Sequence, residues 1–161
     1  MSSTDIPTRA ATTPPTAASD DEQITALLAA RRDALRAGDV EGLVASYAAD
    51  IVSFDLAPPL RSTGAAVRDP EPRRAWLSTF QGPVSLDVTE LAVTVGGDVA
   101  FGHGLQSLTA TPRGATEPFT LWHRVTYGLR RVDGTWQVTH EHTSTPFHMD
   151  GSFRAAVELQ P

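Results

Sequence analysis

The chain has 161 residues, a formal net charge of −6 and no cysteine, which fits one domain that buries its core without disulfides, thiolate metal sites or a cysteine nucleophile. The acidic balance argues against nucleic acid or an anionic membrane surface as partner, and no apolar run approaches the roughly 18 residues of a membrane span. With no basic-then-apolar leader at the N-terminus, the expectation is a cytoplasmic protein that handles a small molecule.

Residues 1–18, "MSSTDIPTRAATTPPTAA", are rich in Ser, Thr, Pro and Ala. They carry too little apolar surface to offset their ordering entropy, so a disordered tail is expected. "SDDE" follows as a capping box, Ser19 with Glu22. It opens a helix in which Ile24, Leu27, Leu28, Arg31 and Leu35 keep helical spacing and Gly38 ends the run. Asp39 is placed to cap a second helix carrying Leu43, Val44 and Tyr47, ending near Asp50. "IVSFD" reads as a short strand, and Pro58 and Pro59 make "LAPPLRSTG" a loop. A third helix is predicted over roughly 71–80, "EPRRAWLSTF", before Gly82-Pro83.

From Val84 the period changes to alternation. "VSLDVTELAVTV", "DVAFGHGLQSLTAT", "FTLWHRVTYGLRRV" and "TWQVTHEHTS" read as antiparallel strands separated by "GGD", "PRG" and "DG". Helices first and strands after give an α+β plan: a curved antiparallel sheet wrapped as a cone over about three N-terminal helices.

At this point the text resembles a family. "ALRAGDVEGLVASYAADIVSFDLAPPLRSTG" is similar to the opening of ketosteroid-isomerase-like and nuclear-transport-factor-2-like proteins, which include SnoaL-like polyketide cyclases. "RRVDGTWQVTHEHTS" resembles the last hairpin of the same superfamily, including the association domain of calmodulin-dependent kinase II. The resemblance implies a SnoaL-like domain over 19–147, followed by a C-terminal extension, 148–161. It specifies fold more than function, because this fold hosts isomerases, cyclases, dehydratases, hydrolases and assembly domains.

A two-residue turn at Asp133-Gly134 sets a register in which Tyr127 opposes His140, Val125 opposes His142 and His123 opposes Ser144. One face then carries His123, Val125, Tyr127, Leu129, Trp136, Val138, His140 and His142, an apolar wall with a few polar groups, as a ligand cavity reads. The other carries Arg124, Thr126, Arg130, Gln137, Thr139, Glu141 and Thr143, suited to an outer sheet or the interface of a homodimer. A one-residue bulge in the last strand would exchange the two faces. Phe54, Trp76, Phe80 and Phe101 are candidates for the cavity floor, though single aromatics most often serve as core packing.

Asp55 ends the first strand, at the position that the resemblance implies for an isomerase's base. A partly desolvated carboxylate there could take a proton from carbon beside a carbonyl, or it could simply bind the backbone of the following turn. By the same resemblance, isomerases hold the enolate with a tyrosine on the first helix and a protonated acid on a late strand. Here the helix position aligns with Arg31 and no acid lies near 123–127, so Tyr127 or a histidine would have to make the oxyanion contact. Two histidines in "HEH" could bind a metal if Asp55, His123 or His103 converged, but no motif fixes a third ligand and none is expected. The pairs Arg31-Arg32, Arg73-Arg74 and Arg130-Arg131 read as solvated faces. No phosphate-cradling loop and no Ser-His-Asp order stands out. The expectation is a cofactor-independent isomerase, cyclase or lyase acting on a hydrophobic carbonyl or polyketide-like molecule. Asp55 would be its base, His140 or Tyr127 its acid, with His142 and His123 lining the site. The alternative is a non-catalytic ligand-binding or assembly module.

Overall fold

The computed structural model describes residues 18–161, so the tail expected over 1–18 lies outside the described residues except for Ala18. Helix α1 spans Asp20–Ala37. Both halves of the Ser19/Glu22 capping box form, and Gly38 ends the helix in a left-handed conformation (φ 72°) that only glycine adopts freely. Its inner face is Ile24, Leu28, Arg31 and Leu35. Helix α2, Val40–Ala45, is capped by Asp39 and is shorter than its sequence suggested. Tyr47 is already the first residue of strand β1, Tyr47–Phe54, where it pairs with the last strand.

Strand β2, Ser62–Thr63, and the one-turn α3, Ala65–Arg68, follow the Pro-rich loop. Helix α4 covers Glu71–Leu77 rather than 71–80, since the Ser78 and Thr79 hydroxyls bond back to the carbonyls of Ala75 and Trp76. The long strands are β3, Ser85–Gly96, β4, Val99–Ala110, β5, Phe119–Val132, and β6, Thr135–Ser144. The sheet order is β2-β1-β6-β5-β4-β3, antiparallel apart from the β1–β6 pair, which is parallel. Among the described residues no helix is long and apolar enough to cross a membrane. The main core gathers Ile24, Ile51, Val125, Leu129, Trp136 and Val138 between α1 and the sheet.

The predicted hairpin turn is present, and Val132 opposes Thr135. The register then changes. Leu129 pairs with Val138 but Gly128 pairs with His140, so Thr139 is an extra residue and its hydroxyl donates to the Gly128 carbonyl at 3.2 Å. Beyond the bulge Tyr127 opposes Glu141, Thr126 opposes His142 and Val125 opposes Thr143. The two faces are therefore exchanged from residue 140 onward. Glu141 points into the cone; His140 and His142, expected inside, lie on the outer face. A second irregularity interrupts the β3–β4 pairing between Thr89 and Ala92, beside Gly104, where a Cβ would stand 2.8 Å from the Thr89 carbonyl oxygen.

Thr139→Ala removes one hydrogen bond and should cost only about 1 kcal/mol. Deleting Thr139 should cost far more, about 3–5 kcal/mol, because it turns Glu141 outward and leaves the buried Arg31 without its counter-ion. Denaturant midpoints of the two variants check the difference, and equal values would show that the bulge does not set the face.

Candidate active site

Arg31 sits where α1 faces the core, and only polar partners make that position tolerable for a charge. Its guanidinium donates to Glu141 Oε2 at 2.7 Å, to the Tyr47 hydroxyl at 3.0 Å and to Ser46 Oγ. The Tyr47 hydroxyl donates in turn to the same carboxylate oxygen at 2.7 Å and accepts from Arg73 at 3.1 Å. Arg31 also lies over the Tyr47 ring, 4.4 Å from its centroid. Burial works against the Arg31 charge, but Tyr47, Glu141 and Tyr127 outweigh it and raise its pKa above the ordinary value. Burial likewise pushes the Tyr47 phenol up, with Arg31 opposing.

Arginine pairs expected to be solvated are thus split. Arg31 is buried while Arg32 pairs outside with Asp33. Arg73 reaches Tyr47 and the Val67 carbonyl while Arg74 binds Glu41 and Glu71. Arg131 meets Asp20 over Trp136 while Arg130 binds Asp50. Neighbours on a helix or strand point to different sides, so a doublet cannot share one environment.

Beside this cluster lies a cavity of about 160 Å³ between α1 and the sheet. Leu28, Leu35, Leu43, Leu86, Val88 and Leu91 give it apolar walls, Arg31, Gln106, Tyr127 and Glu141 form a polar end, and Thr25, Ala29 and Arg32 of α1 complete the lining. Glu141 Oε1 accepts no hydrogen bond among the described residues, since both of the carboxylate's bonds go to Oε2. The Gln106 amide donates to the Tyr127 hydroxyl at 3.3 Å, and its carbonyl faces His123 Nε2 at 2.9 Å. That order puts the His123 proton on Nε2 and leaves the Tyr127 proton with no protein acceptor among the described residues. His123 is buried on the inner face, and its Nδ1 has no partner. Burial, with Glu141 adding to it, raises the Tyr127 pKa, so the phenol stays protonated.

Of the residues singled out in the sequence, Tyr127 lines this cavity and His123 stands behind it through Gln106. Asp55 does not line it; the side chain is exposed and its Oδ1 accepts from the Leu56 N–H at 2.7 Å, the turn contact. His140 is turned out by the bulge, with its ring bound to the Val52 carbonyl at 3.0 Å and packed edge-on against Phe54. His142 flanks the same Phe54 ring, and Phe101 with His103 continues this outer face. Trp76 and Phe80 pack edge to face at 5.1 Å, away from the cavity. None of the four aromatics forms its floor; leucines and a valine do. Among the described residues no three His, Asp or Glu side chains group as metal ligands.

The SnoaL-like domain family matches residues 24–148, about four-fifths of the chain, a span that includes Arg31, Gln106, Tyr127 and Glu141. An NTF2-like protein of unknown function from Pseudomonas putida KT2440 is 33% identical over 86% of this chain and 94% of its own, with a TM-score of 0.74. The chain belongs to the SnoaL-like family. Two more distant structures share its fold. An NTF2-like protein with a cystatin-like fold from Novosphingobium aromaticivorans is 21% identical, covering 88% of this chain and 90% of its own, at a TM-score of 0.65. A ketosteroid isomerase-like protein from Erwinia carotovora atroseptica SCRI1043 is also 21% identical, covering 76% and 92%, at 0.62. Among curated proteins none matches. In this SnoaL-like domain the carboxylate opposite Tyr127 is Glu141, on the neighbouring strand.

Burial holds the His123 pKa below its ordinary 6.5, against weaker pulls from Leu121, Asp55 and Glu141. Below that value the unfolded chain takes up a proton that the folded chain resists. This contribution to stability is therefore full above pH 6.5 and lost as pH falls toward the folded pKa. Replacing His123→Gln should flatten the decline in denaturant midpoint between about pH 7 and about pH 5. An unchanged pH profile would show that His123 stays solvated when folded.

Proposed function

We propose that this SnoaL-like domain is a small acid–base enzyme of the isomerase, cyclase or lyase type, acting on a hydrophobic carbonyl compound held in the cone. The observation that carries the reading is the pair Tyr127 and Glu141. They oppose one another across β5 and β6, face one cavity, and keep a donor and an acceptor that folding leaves unused. Glu141 Oε1 would take the proton from carbon beside the carbonyl. Tyr127 would donate to the carbonyl oxygen as negative charge develops there. A carboxylate is a weak base, which suits a proton already acidified by a carbonyl. Arg31 and Tyr47 position the carboxylate through Oε2 and leave Oε1 to the substrate.

A panel of simple cyclic ketones in deuterated water tests this without knowledge of the natural substrate. The protein should accelerate exchange at the carbon beside the carbonyl. Tyr127→Phe should lower that rate by about 10²-fold and Glu141→Gln by at least as much, with folding followed by circular dichroism. Asp55→Asn should leave it unchanged. Exchange lost in Asp55→Asn but kept in Tyr127→Phe would move the base to Asp55.

A second reading concerns assembly. We propose that two copies pair through the outer face of the sheet, where Phe101 is 51% exposed beside His103, and His140 and His142 meet Phe54 edge to face. Exposed aromatic surface of this kind favours burial against a complementary copy. Sedimentation at high micromolar concentration should give a dimer that Phe101→Glu dissociates; a monomeric wild type removes the proposal.

A further inference from the structure

The size and charge of the cavity narrow its ligand beyond a carbonyl compound, an inference that rests on reading this cavity as the binding site. We propose that it takes a neutral molecule of about one ring, bearing a hydroxyl or carbonyl group, and excludes polycyclic and charged ligands. The volume is about 160 Å³. An apolar protein cavity of about 150 Å³ accommodates benzene, whereas pockets for drug-sized ligands run from about 300 Å³ upward. The walls are aliphatic, so they favour a ring or short branched chain over a polar body.

Charge sharpens the assignment. Arg31 is already occupied by Glu141, Tyr47 and Ser46, and Arg32, the other cation in the lining, is paired with Asp33. A ligand carboxylate would meet the free Glu141 Oε1 as a like charge between apolar walls. A ligand ammonium would find that oxygen but would have to shed its water beside the Arg31 guanidinium. A neutral hydroxyl satisfies both open groups at once, donating to Glu141 and accepting from Tyr127. A carbonyl oxygen accepts from Tyr127 and turns its neighbouring C–H toward Glu141. Both belong to compounds that interconvert by proton transfer, the ketone and its enol.

Binding is measured by chemical-shift titration with phenol, cyclohexanone, benzoate, cyclohexylamine and the bicyclic ketone 2-decalone. Phenol and cyclohexanone should bind at least about tenfold more tightly than the other three. Ala29→Trp, which narrows the cavity from α1 and touches none of its hydrogen bonds, should abolish phenol binding. The proposal fails if benzoate, the amine or the decalone binds as well as phenol, if no single-ring compound binds, or if Ala29→Trp leaves phenol binding intact. Selective phenol binding without proton exchange would remove the catalytic reading and uphold this one. Exchange confined to bicyclic ketones would do the reverse.

Discussion

The buried pair of Arg31 and Glu141 is the constraint around which this domain is arranged. Each charge costs several kcal/mol to remove from water, and only close, fully bonded geometry offsets it. Arg31 meets that condition by bonding at once to the start of β1, to the residue ending α2 and to β6. It thereby joins the first helix to the last strand, 110 residues away. A pair of leucines could fill the same space with no desolvation cost. What the ion pair adds is direction: only one register of β6 presents a carboxylate to Arg31, and in the other register a histidine would face a buried cation. Arg31 and the bulge at Thr139 therefore specify one another.

Much of the fold was legible because local rules and global plan agree. Ser19, Glu22 and Gly38 bound α1 as capping chemistry requires, and Asp133-Gly134 makes the hairpin turn its dipeptide promises. The face of β6 was not legible. In "VTHEHTS" both alternations place polar side chains on both faces, so beyond Val138 no hydrophobic pattern distinguishes the registers. One signal was available. Arg31 falls on the buried spacing of Ile24, Leu28 and Leu35, and a core arginine demands a carboxylate. Glu141 is the only acid in β6. Asp55 could be read two ways in the sequence, as a base or as a turn residue, and the structure shows the turn contact with the Leu56 N–H.

The cavity owes its existence to sheet curvature, and the curvature to irregular positions. β6 bends at Thr139, and β3 departs from its partner between Thr89 and Ala92. Gly104 allows β4 to approach that second site more closely than any side chain would permit. The sheet can then wrap α1 on one face while the other stays open, aromatic and rich in histidine. The inner and outer faces thus acquire different surfaces from the same two departures from regular pairing.

The direction of the hydrogen bonds decides what the inner face can do. His123 offers its Nε2 proton to Gln106, whose amide must then point its donors at Tyr127. With its oxygen used as an acceptor, Tyr127 keeps its proton, and burial prevents the phenol from releasing it to water. Across the strand, Arg31 and Tyr47 saturate one oxygen of Glu141 and leave the second. A core selected for stability alone would pair this donor with this acceptor directly. Holding them apart beside a small apolar space leaves both groups short of a partner, and the proposed ligand, with one oxygen and one acidic proton, would supply it.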